Sequence, residues 1–227
     1  MKKRSKAYTE ARKQIKKETA LKISDAIIAS QKVAHAKFDE SIELHVNLGI
    51  DPKNTDQRIR FTTSLPHGTG KSIKILVISE DNSGVKENII YRNESVIDEI
   101  TKGTVSPDKD FNIVIATTTQ MKNLAKVARV LGPKGLMPSP KNGTVTEDIK
   151  KAIDSLSKGQ IEVKSQQGFA VLHQVVGKKS FEAKKLEENI QHMLTELNKN
   201  TPSKMKKKLI QNAYIASSMG PGIKLEI

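Results

Sequence analysis

Two kinds of apolar pattern, in different parts of the chain, constrain the fold more than any other feature. Within residues 41–50, the apolar residues Ile42, Leu44, Val46, Leu48 and Ile50 alternate with polar residues or Gly. A period of two predicts a strand with one buried face. The segments IKILVIS (73–79) and FNIVIAT (111–117) are instead continuous apolar runs, typical of strands buried on both faces. The sequence therefore predicts two different kinds of sheet.

The middle of the chain predicts a parallel α/β sheet. Helical patterns cover residues 121–131 and 146–158, with Thr146 as the N-cap of the second helix and Gly159 just past its end. These helices alternate with the continuous apolar strands, which is typical of a parallel sheet covered by helices.

The two ends of the chain predict helices and strands with one buried face. Near the start we expect helices over residues 5–18 and 22–34 and strands over 41–50 and 58–65. After Gly159, IEVKSQQ and GFAVLHQVVG resemble a hairpin. A helix capped by Ser180 is expected to run to about Asn200, and KLIQNAYIAS and GIKLEI are expected to be strands.

Charge supports the same division into two domains. Residues 1–67 carry 14 Lys and Arg against 8 Asp and Glu, and residues 160–227 carry 11 against 6, so the two ends hold +11 of the formal +14. If the two ends fold together, residues 1–67 and 160–227 form one basic domain and residues 68–159 are an insertion.

The basic balance indicates a polyanionic partner. The isoelectric point is near 9.8. Nucleic acid rewards such a charge by releasing condensed counterions, and an anionic membrane surface is the alternative. The absence of Cys excludes disulfides, thiolate catalysis and Cys-based zinc sites. No apolar run approaches the 18 residues of a transmembrane helix, and none follows the basic N-terminus as in a secretory signal.

One Gly-rich segment has part of a nucleotide-binding pattern. SLPHGTGKS (64–72) contains Gly70-Lys71-Ser72, but Leu65 occupies the position of the first Gly of a P-loop. A helix should follow a P-loop, whereas SIKILVIS predicts a strand. A flexible crossing between domains is the better interpretation. No pair of the five His residues has metal-ligand spacing on a helix, and no catalytic triad or carboxylate pair can be picked out.

Several strings resemble those of the ribosomal protein L-one family, in order and spacing. The most characteristic is LGPKGLMPSPKNGTVT (131–146). The others are AKFDESIELHVNLGIDP (36–52), SLPHGTGK (64–71), GFAVLHQVVGKKSF (168–181) and IASSMGPGIKL (215–225). The length and these strings resemble the bacterial and organellar branch.

The resemblance implies a fold and a function. The fold is α/β: an α+β first domain with an antiparallel sheet, and an inserted three-layer, Rossmann-like α/β second domain. The implied protein is no enzyme, needs no cofactor or metal, and acts in the cytoplasm on the ribosome. It binds rRNA of the large subunit at the mobile stalk, helps to release deacylated tRNA from the exit site, and represses translation of its own operon mRNA. Off the ribosome it is a monomer without a membrane partner.

The resemblance also implies RNA contacts by residues of the first domain. They are Lys37, Phe38, Glu40, Lys164, His173, Gly177, Lys178, Ser218, Met219 and Gly220. Lysines would serve phosphates, while small polar groups and main chain would approach ribose hydroxyls. For Phe38 a core position stays open, for His173 a place on a sheet surface without contact, and for Met219 a turn residue.

Other basic segments give weaker predictions of RNA contact. The loop LGPKGLMP is expected to be structural, with weak RNA or tRNA contact from Lys134 and Lys141. The run KMKKK (204–208) indicates a solvated turn or a non-specific phosphate contact. The N-terminal helix, with Lys13, Lys16 and Lys17, is an alternative contact surface. A dedicated mRNA repressor and a nucleotide-dependent enzyme remain as alternative functions.

Overall fold

The computed structural model describes residues 5–15, 19–71, 74–79, 89–92, 95–102, 104–105, 107, 110–157, 159–202, 205 and 208–227. The helices in these residues are α1 (Lys6–Lys13), α2 (Ile23–Val33), α3 (Ser95–Lys102), α4 (Met121–Leu124), α5 (Ala128–Leu131), α6 (Ile149–Ser157) and α7 (Ala183–Lys199). The strands are β1 (Ser41–Leu48), β2 (Arg60–Ser64), β3 (Ile75–Ile78), β4 (Ile89–Arg92), β5 (Ile113–Ala116), β6 (Gln160–Lys164), β7 (Val171–Lys178), β8 (Ile210–Ser217) and β9 (Ile223–Lys224). Short 3-10 helices cover Thr55–Gln57, Ala125–Val127 and Pro140–Asn142.

The chain divides into two compact units. One consists of Met1–Gly70 and Lys158–Ile227, and the other of Lys71–Ser157. The first unit combines antiparallel sheets with helices, and the second holds a parallel sheet. The α/β fold class expected from the sequence is confirmed.

The first unit is built on a four-stranded antiparallel sheet in the order β7-β1-β8-β9. The even-numbered side chains of β1 are buried and the odd-numbered ones are half-exposed, as the alternating pattern predicts. The buried side chains share one hydrophobic core with α2 and α7. The helices therefore cover one face of the sheet.

One strand pairing in this unit differs from the expected hairpin. β6 pairs with β2 in a separate two-stranded sheet, in a register that joins Arg60 to Lys164. Its link to β7 is the isolated bridge between Ser165 and Leu172. The expected hairpin is therefore limited to the residues next to its turn, while β6 itself pairs with β2, much earlier in the chain.

The long helix of this unit also starts later than expected. Glu182 is the residue before α7, so the prediction of Ser180 as its cap is wrong. Ser180 instead donates to Asp39, from its backbone N–H (3.1 Å) and from its hydroxyl (2.8 Å). A long-range carboxylate has replaced the local helix end as its partner.

The second unit has three layers. Its sheet has the order β4-β3-β5, and both pairings are parallel. One face, with Leu76 and Ile78, packs against α3, α4 and α5, and the opposite face, with Ile75 and Val77, packs against α6. Both faces of β3 are thus buried, which explains its continuous apolar run.

Two helices of the second unit are shorter than expected. The pattern over residues 121–131 forms α4, a 3-10 turn and α5 rather than one helix. The helix expected from residue 146 begins at Ile149. Thr146 lies before it, where its hydroxyl accepts a hydrogen bond from the N–H of Asp148 (3.1 Å).

The chain leaves and re-enters the first unit at one point. A Cβ atom on Gly159 would lie 2.6 Å from the Cα of Gly68, and φ at Gly159 is +82°. Only Gly tolerates both conditions. The buried side chain of Asn189 fixes this crossing, since its amide donates to the carbonyls of Gly68 (3.0 Å) and Val176 (2.8 Å) and its oxygen accepts from the N–H of His67 (3.1 Å).

Candidate nucleic-acid interface

Several of the residues implicated by the sequence meet at one end of the four-stranded sheet. β1 begins there and β7 and β8 end there, because the register pairs Ser41 with Lys178 and Ile42 with Ser217. The loops before β1 and after β8 continue beyond this end, side by side. We define the strand-end cluster as Lys37, Phe38, Lys178, Ser218, Met219 and Gly220.

Two large apolar side chains of the strand-end cluster are not buried. Phe38 is 55% exposed and Met219 is 54% exposed. Lys37, next to Phe38, is exposed as well. A core position for Phe38, which the sequence left open, is therefore wrong. Exposed apolar groups beside cations suit a ligand with flat faces and phosphates.

Glu40 connects the two loops that carry most of the strand-end cluster. Its side chain is fully buried, and the direct contact with RNA expected of it stays a prediction. Its two oxygens accept hydrogen bonds from the N–H of Ala36 (2.7 Å) and of Met219 (3.1 Å). Burial raises the pKa of this carboxyl, but the backbone donors of Ala36 and Met219, together with the neighbouring Ser217 and His35, outweigh it, and the pKa of Glu40 is lowered. The ionised side chain thus joins the two loops.

The hydroxyl of Ser218 is engaged within the protein. It accepts from the N–H of Ser41 (3.1 Å) and donates to the carbonyl of Ser41 (3.3 Å). The N–H of Ser218 donates to the same carbonyl (3.0 Å). Ser218 is exposed, and a hydroxyl has two lone pairs. One acceptor site of Ser218 is therefore left for a ligand, while its proton is already used.

Two glycines of the expected site serve the packing of the chain. A Cβ atom on Gly220 would lie 2.3 Å from the hydroxyl oxygen of Ser217, and one on Gly177 would lie 2.6 Å from the side chain of Leu186 and 3.1 Å from that of Phe181. Gly220 lies in the loop after β8 and stays in the cluster. Gly177 is buried, and Gly is needed there because α7 packs closely on β7. Its expected contact with RNA stays a prediction.

Lys178 is positioned by neutral acceptors. Its ammonium donates to the hydroxyl of Ser41 (3.0 Å) and to the carbonyl of Asp39 (3.4 Å). Neither acceptor carries a charge, so neither neutralises the ammonium. The charge is held at the sheet end and can still serve a phosphate.

Further hydrogen bonds that stabilise the cluster could not be predicted from the sequence. The amide of Gln31 donates to the carbonyls of Lys179 (3.0 Å) and Phe181 (2.8 Å), and the ammonium of Lys179 donates to the carbonyl of Ala34 (2.7 Å). With the bonds between Asp39 and Ser180, they attach the segment before β1 to the segment after β7. The partners lie more than 140 residues apart in the chain, and no local pattern marks them.

Two expected contacts, His173 and Lys164, lie away from the strand-end cluster. His173 is in the middle of β7 and pairs with His45 of β1. Five residues separate it from Lys178, which corresponds to about 17 Å along a strand. Lys164 ends β6, just before the bridge between Ser165 and Leu172, and it is exposed.

The two His side chains form a pair on the exposed face of the sheet. Their Nδ1 atoms are 2.8 Å apart, and their rings meet edge to face with centroids 4.9 Å apart. Burial and the neighbouring His173 lower the pKa of His45, although the carboxylate of Glu43 acts in the opposite direction. His45 is therefore neutral at neutral pH.

The loop LGPKGLMP is held by its own backbone and by the core. The N–H groups of Gly135 and Leu136 donate to the carbonyls of Gly132 (3.0 Å) and Leu131 (3.0 Å), and Leu136 and Met137 pack against the core of the second unit. The hydroxyl of Thr144 accepts from the N–H of Ser139 (2.8 Å) and donates to the Ser139 carbonyl (3.2 Å), which closes the segment between them. The exposed Lys134 donates to the carbonyl of Pro107 (3.2 Å). The side chain of Lys141 lies outside the described residues, so its expected contact stays a prediction.

Other sequence features can be placed only in part. Lys13 is the last residue of α1 and is exposed, whereas Lys16 and Lys17 lie outside the described residues, as do positions 204, 206 and 207. In the part of the chain that is described, no helix is long and apolar enough to cross a bilayer. Among those same residues, no three His, Asp or Glu side chains are grouped to hold a metal ion.

Comparison with known families settles what kind of protein has this geometry. Residues 29–221 match the sequence model of the ribosomal protein L1p/L10e family. The chain belongs to this family. A relative named large ribosomal subunit protein uL1 from Kosmotoga olearia is 42% identical over 231 residues, which cover 100% of this chain and 97% of the relative.

Other relatives cover the chain just as fully. The protein of the same name from Fervidobacterium nodosum is 42% identical over 232 residues, covering 100% of this chain and 97% of the relative. Large ribosomal subunit protein uL1c from Trieres chinensis is 39% identical over 231 residues, covering 100% and 98%. The resemblance to the L1p/L10e family is thus confirmed over the whole chain.

The L1p/L10e family consists of structural ribosomal proteins and not of enzymes. The nucleotide-binding interpretation of residues 64–72 also lacks its structural partner, since the next described element is the strand β3. A P-loop requires a helix whose N-terminus faces the phosphates. The enzyme alternative is therefore wrong.

Proposed function

We propose that this protein is a constituent of the large ribosomal subunit that binds the rRNA of the mobile stalk through the strand-end cluster. The observation that carries the proposal is the exposure of Phe38 and Met219 beside Lys37 and Lys178. The apolar groups offer contact to bases and the cations serve phosphates. The names of its relatives place them in the large subunit, and its place in the cell would be the cytoplasmic ribosome.

The salt dependence of RNA binding tests this assignment. We would titrate a stalk transcript and a scrambled RNA of equal length at several salt concentrations. Lys37→Gln and Lys178→Gln should each lower the slope of log affinity against log salt by about one unit. Met219→Ala removes no charge, so it should weaken binding to the stalk transcript and leave the slope unchanged. Lys13→Gln, on α1, is the matched control and should resemble the wild type.

The control also decides between two surfaces. If Lys13→Gln lowers the slope and the two cluster lysines do not, the basic N-terminal helix is the contact surface. If Met219→Ala weakens both RNAs equally, the exposed methionine contributes no recognition of the stalk.

A second test concerns the domain that carries the affinity. We propose that residues 1–67 and 160–227 form the RNA-binding domain and that residues 68–159 are an insertion. The close approach of Gly68 and Gly159 allows the two segments to be joined by a short linker. The fusion should fold and retain specific binding of the stalk transcript. A folded fusion that binds no better than the isolated segment 68–159 would refute the assignment.

The finer roles concern the messenger and the exit-site tRNA. We propose that the strand-end cluster also binds the protein's own operon mRNA and thereby represses its translation, because one surface can serve two RNAs with a shared fold. An excess of stalk transcript should then relieve repression of a reporter that carries the leader, and Met219→Ala should abolish repression. Release of deacylated tRNA should slow in ribosomes that lack the protein and recover on its addition. The free protein would be a monomer.

A further inference from the structure

The four-stranded sheet has a second face that the helices do not cover. On β1 the buried residues face α2 and α7, while Glu43, His45 and Asn47 on the other side are half-exposed. On β8, residues 214 and 216 follow the same rule, since their neighbours are buried and they are not, and Asn212 pairs with Asn47 on this face. Side chains of the described residues thus line an open sheet face with polar and ring-bearing groups.

Five side chains on this side of the molecule, each from a different strand, lie in one row. His45 pairs with His173 on one side and with Tyr214 on the other, and Tyr214 pairs with Lys224. On the far side, the bridge between Ser165 and Leu172 brings the preceding Lys164 beside His173. Leu172 is buried, so by alternation its neighbour His173 faces outward, and both His173 and Lys164 are exposed. We define the open-face row as Lys164, His173, His45, Tyr214 and Lys224.

The chemistry of the open-face row is ordered. Three rings lie in the centre and one lysine lies at each end. Neighbouring strands are about 4.8 Å apart, so the row spans about 19 Å, and its rings span about 10 Å. Flat rings on an open four-stranded sheet suit unstacked bases, of which such sheets take two or three.

The electrostatics fit bases in the centre and phosphates at the ends. Glu43 lies beside the central rings, with a carboxylate oxygen 3.9 Å from Nε2 of His45, and its charge would repel a phosphate there. The two lysines at the ends of the row would attract one.

Resting on the function proposed above, we propose that the open-face row is a second RNA subsite that stacks unpaired nucleotides, with Lys164 and Lys224 on the flanking phosphates. The row lies about 17 Å along β7 from the strand-end cluster. An RNA that reaches both must therefore carry unpaired nucleotides beyond the part that the cluster holds. The proposal explains why Lys164 and His173 lie away from the other expected contacts.

The experiment compares two transcripts on the full-length protein. One is the stalk transcript with its adjoining unpaired nucleotides, and the other is the same transcript with those nucleotides removed. The double variant His173→Thr with Tyr214→Val removes two rings and replaces them with β-branched side chains, which strands favour. Asn212→Thr, on the same face of β8, is the matched control without loss of a ring.

The wild type and the Asn212→Thr control should bind the longer transcript at least about fivefold more tightly than the trimmed one, which one stacked base suffices to give. The ring variant should bind the two transcripts equally and keep its affinity for the trimmed one. Lys164→Gln with Lys224→Gln, both partly or fully exposed, provides a second variant if the ring variant does not fold. It should lower the salt slope for the longer transcript only.

Two results would overturn the subsite. In the first, the ring and lysine variants prefer the longer transcript as much as the wild type does, and the face would then suit contact with a neighbouring protein. In the second, the variants lose affinity for both transcripts to the same extent. Failure of the wild type to bind either transcript would instead reject the proposed function itself, so the two failures are distinguishable.

Discussion

The substitution Glu40→Gln separates the charge of this residue from its role in holding the loops. Attraction between charges alone predicts stronger RNA binding, since the variant removes a negative charge from the unit that is proposed to bind RNA. The structure predicts the opposite, because both carboxylate oxygens accept backbone N–H groups, from Ala36 and Met219. The sign of the change in affinity therefore decides between the two.

The magnitude follows from the hydrogen bonds. The oxygen of Gln can keep the bond from Ala36, but its amide would then face the N–H of Met219, so two donors would oppose each other. Hydrogen bonds to charged groups contribute about 1.5–3 kcal/mol each, and we expect the free energy of unfolding to fall by about 2–3 kcal/mol at neutral pH. With the Met219 loop released, affinity for the stalk transcript should fall about tenfold, or about 1.4 kcal/mol.

The pH dependence gives an independent check on Glu40. Its pKa in the folded protein is lowered from the ordinary 4.5, so its contribution to stability is complete above that value and is lost as the pH falls through the folded-state pKa. The difference in unfolding free energy between the wild type and Glu40→Gln should therefore shrink as the pH falls below 4.5. Denaturant unfolding at several pH values measures it.

Glu226→Gln is the matched control for the affinity measurement. Glu226 is exposed in the same unit, so this change removes the same charge without releasing the loop and should leave stability unchanged. If Glu40→Gln binds the stalk transcript as tightly as Glu226→Gln does, the reasoning about the loop is refuted.

Three further substitutions test the cluster. Ser218→Val should lower the free energy of unfolding by about 1–3 kcal/mol, because the hydroxyl bonds the backbone of Ser41 in both directions; unchanged stability would show those bonds to be unimportant. Gly220→Ala should cost about 1–3 kcal/mol by overpacking against the Ser217 hydroxyl, and Ser217→Ala in the same chain should recover most of it, whereas additive losses would contradict the clash. Phe38→Ala should change stability by less than about 0.5 kcal/mol but weaken the stalk complex by about 1–3 kcal/mol, as for a stacked ring; a large loss of stability would place Phe38 in the core after all.

The elements that the sequence predicted well are those with a strong period. β1 alternates over its whole length, and its buried and half-exposed side chains follow that alternation. The strands β3 (ILVI) and β5 (IVIA) are apolar throughout because helices cover both faces of their sheet. In each case, the local pattern and the tertiary environment demand the same side chains.

The elements that were predicted wrongly depend on partners far along the chain. β6 sits next to β7 in sequence but pairs with β2, and Ser180 precedes a helix but bonds to Asp39. A local pattern shows that a strand or a cap is available, but it does not show which distant group takes the hydrogen bond.

The candidate site shows the same division. Exposed cations could be proposed from charge and resemblance, and Lys37 is indeed exposed. The burial of Glu40 and Gly177 could not be proposed, because a carboxylate and a Gly in a motif are equally compatible with contact and with packing. Their distinct roles follow from what surrounds them in three dimensions, namely two N–H donors for Glu40 and the side chains of α7 for Gly177.

The residues of the strand-end cluster and the buried residues that hold its loops therefore form two physically different classes, and one measurement can tell them apart. Exposed cations such as Lys37 act through counterion release, so their loss changes the salt slope of affinity. Buried braces such as Glu40 act through the position of the loops, so their loss changes affinity and stability together and leaves the number of phosphate contacts, and hence the slope, much the same. Ser218 belongs partly to both classes, since it is exposed and yet bonded to Ser41. Some substitutions should change the affinity for RNA and the free energy of unfolding but leave the salt slope of affinity unchanged. Such a residue makes no phosphate contact with the RNA, whatever sequence motif it belongs to.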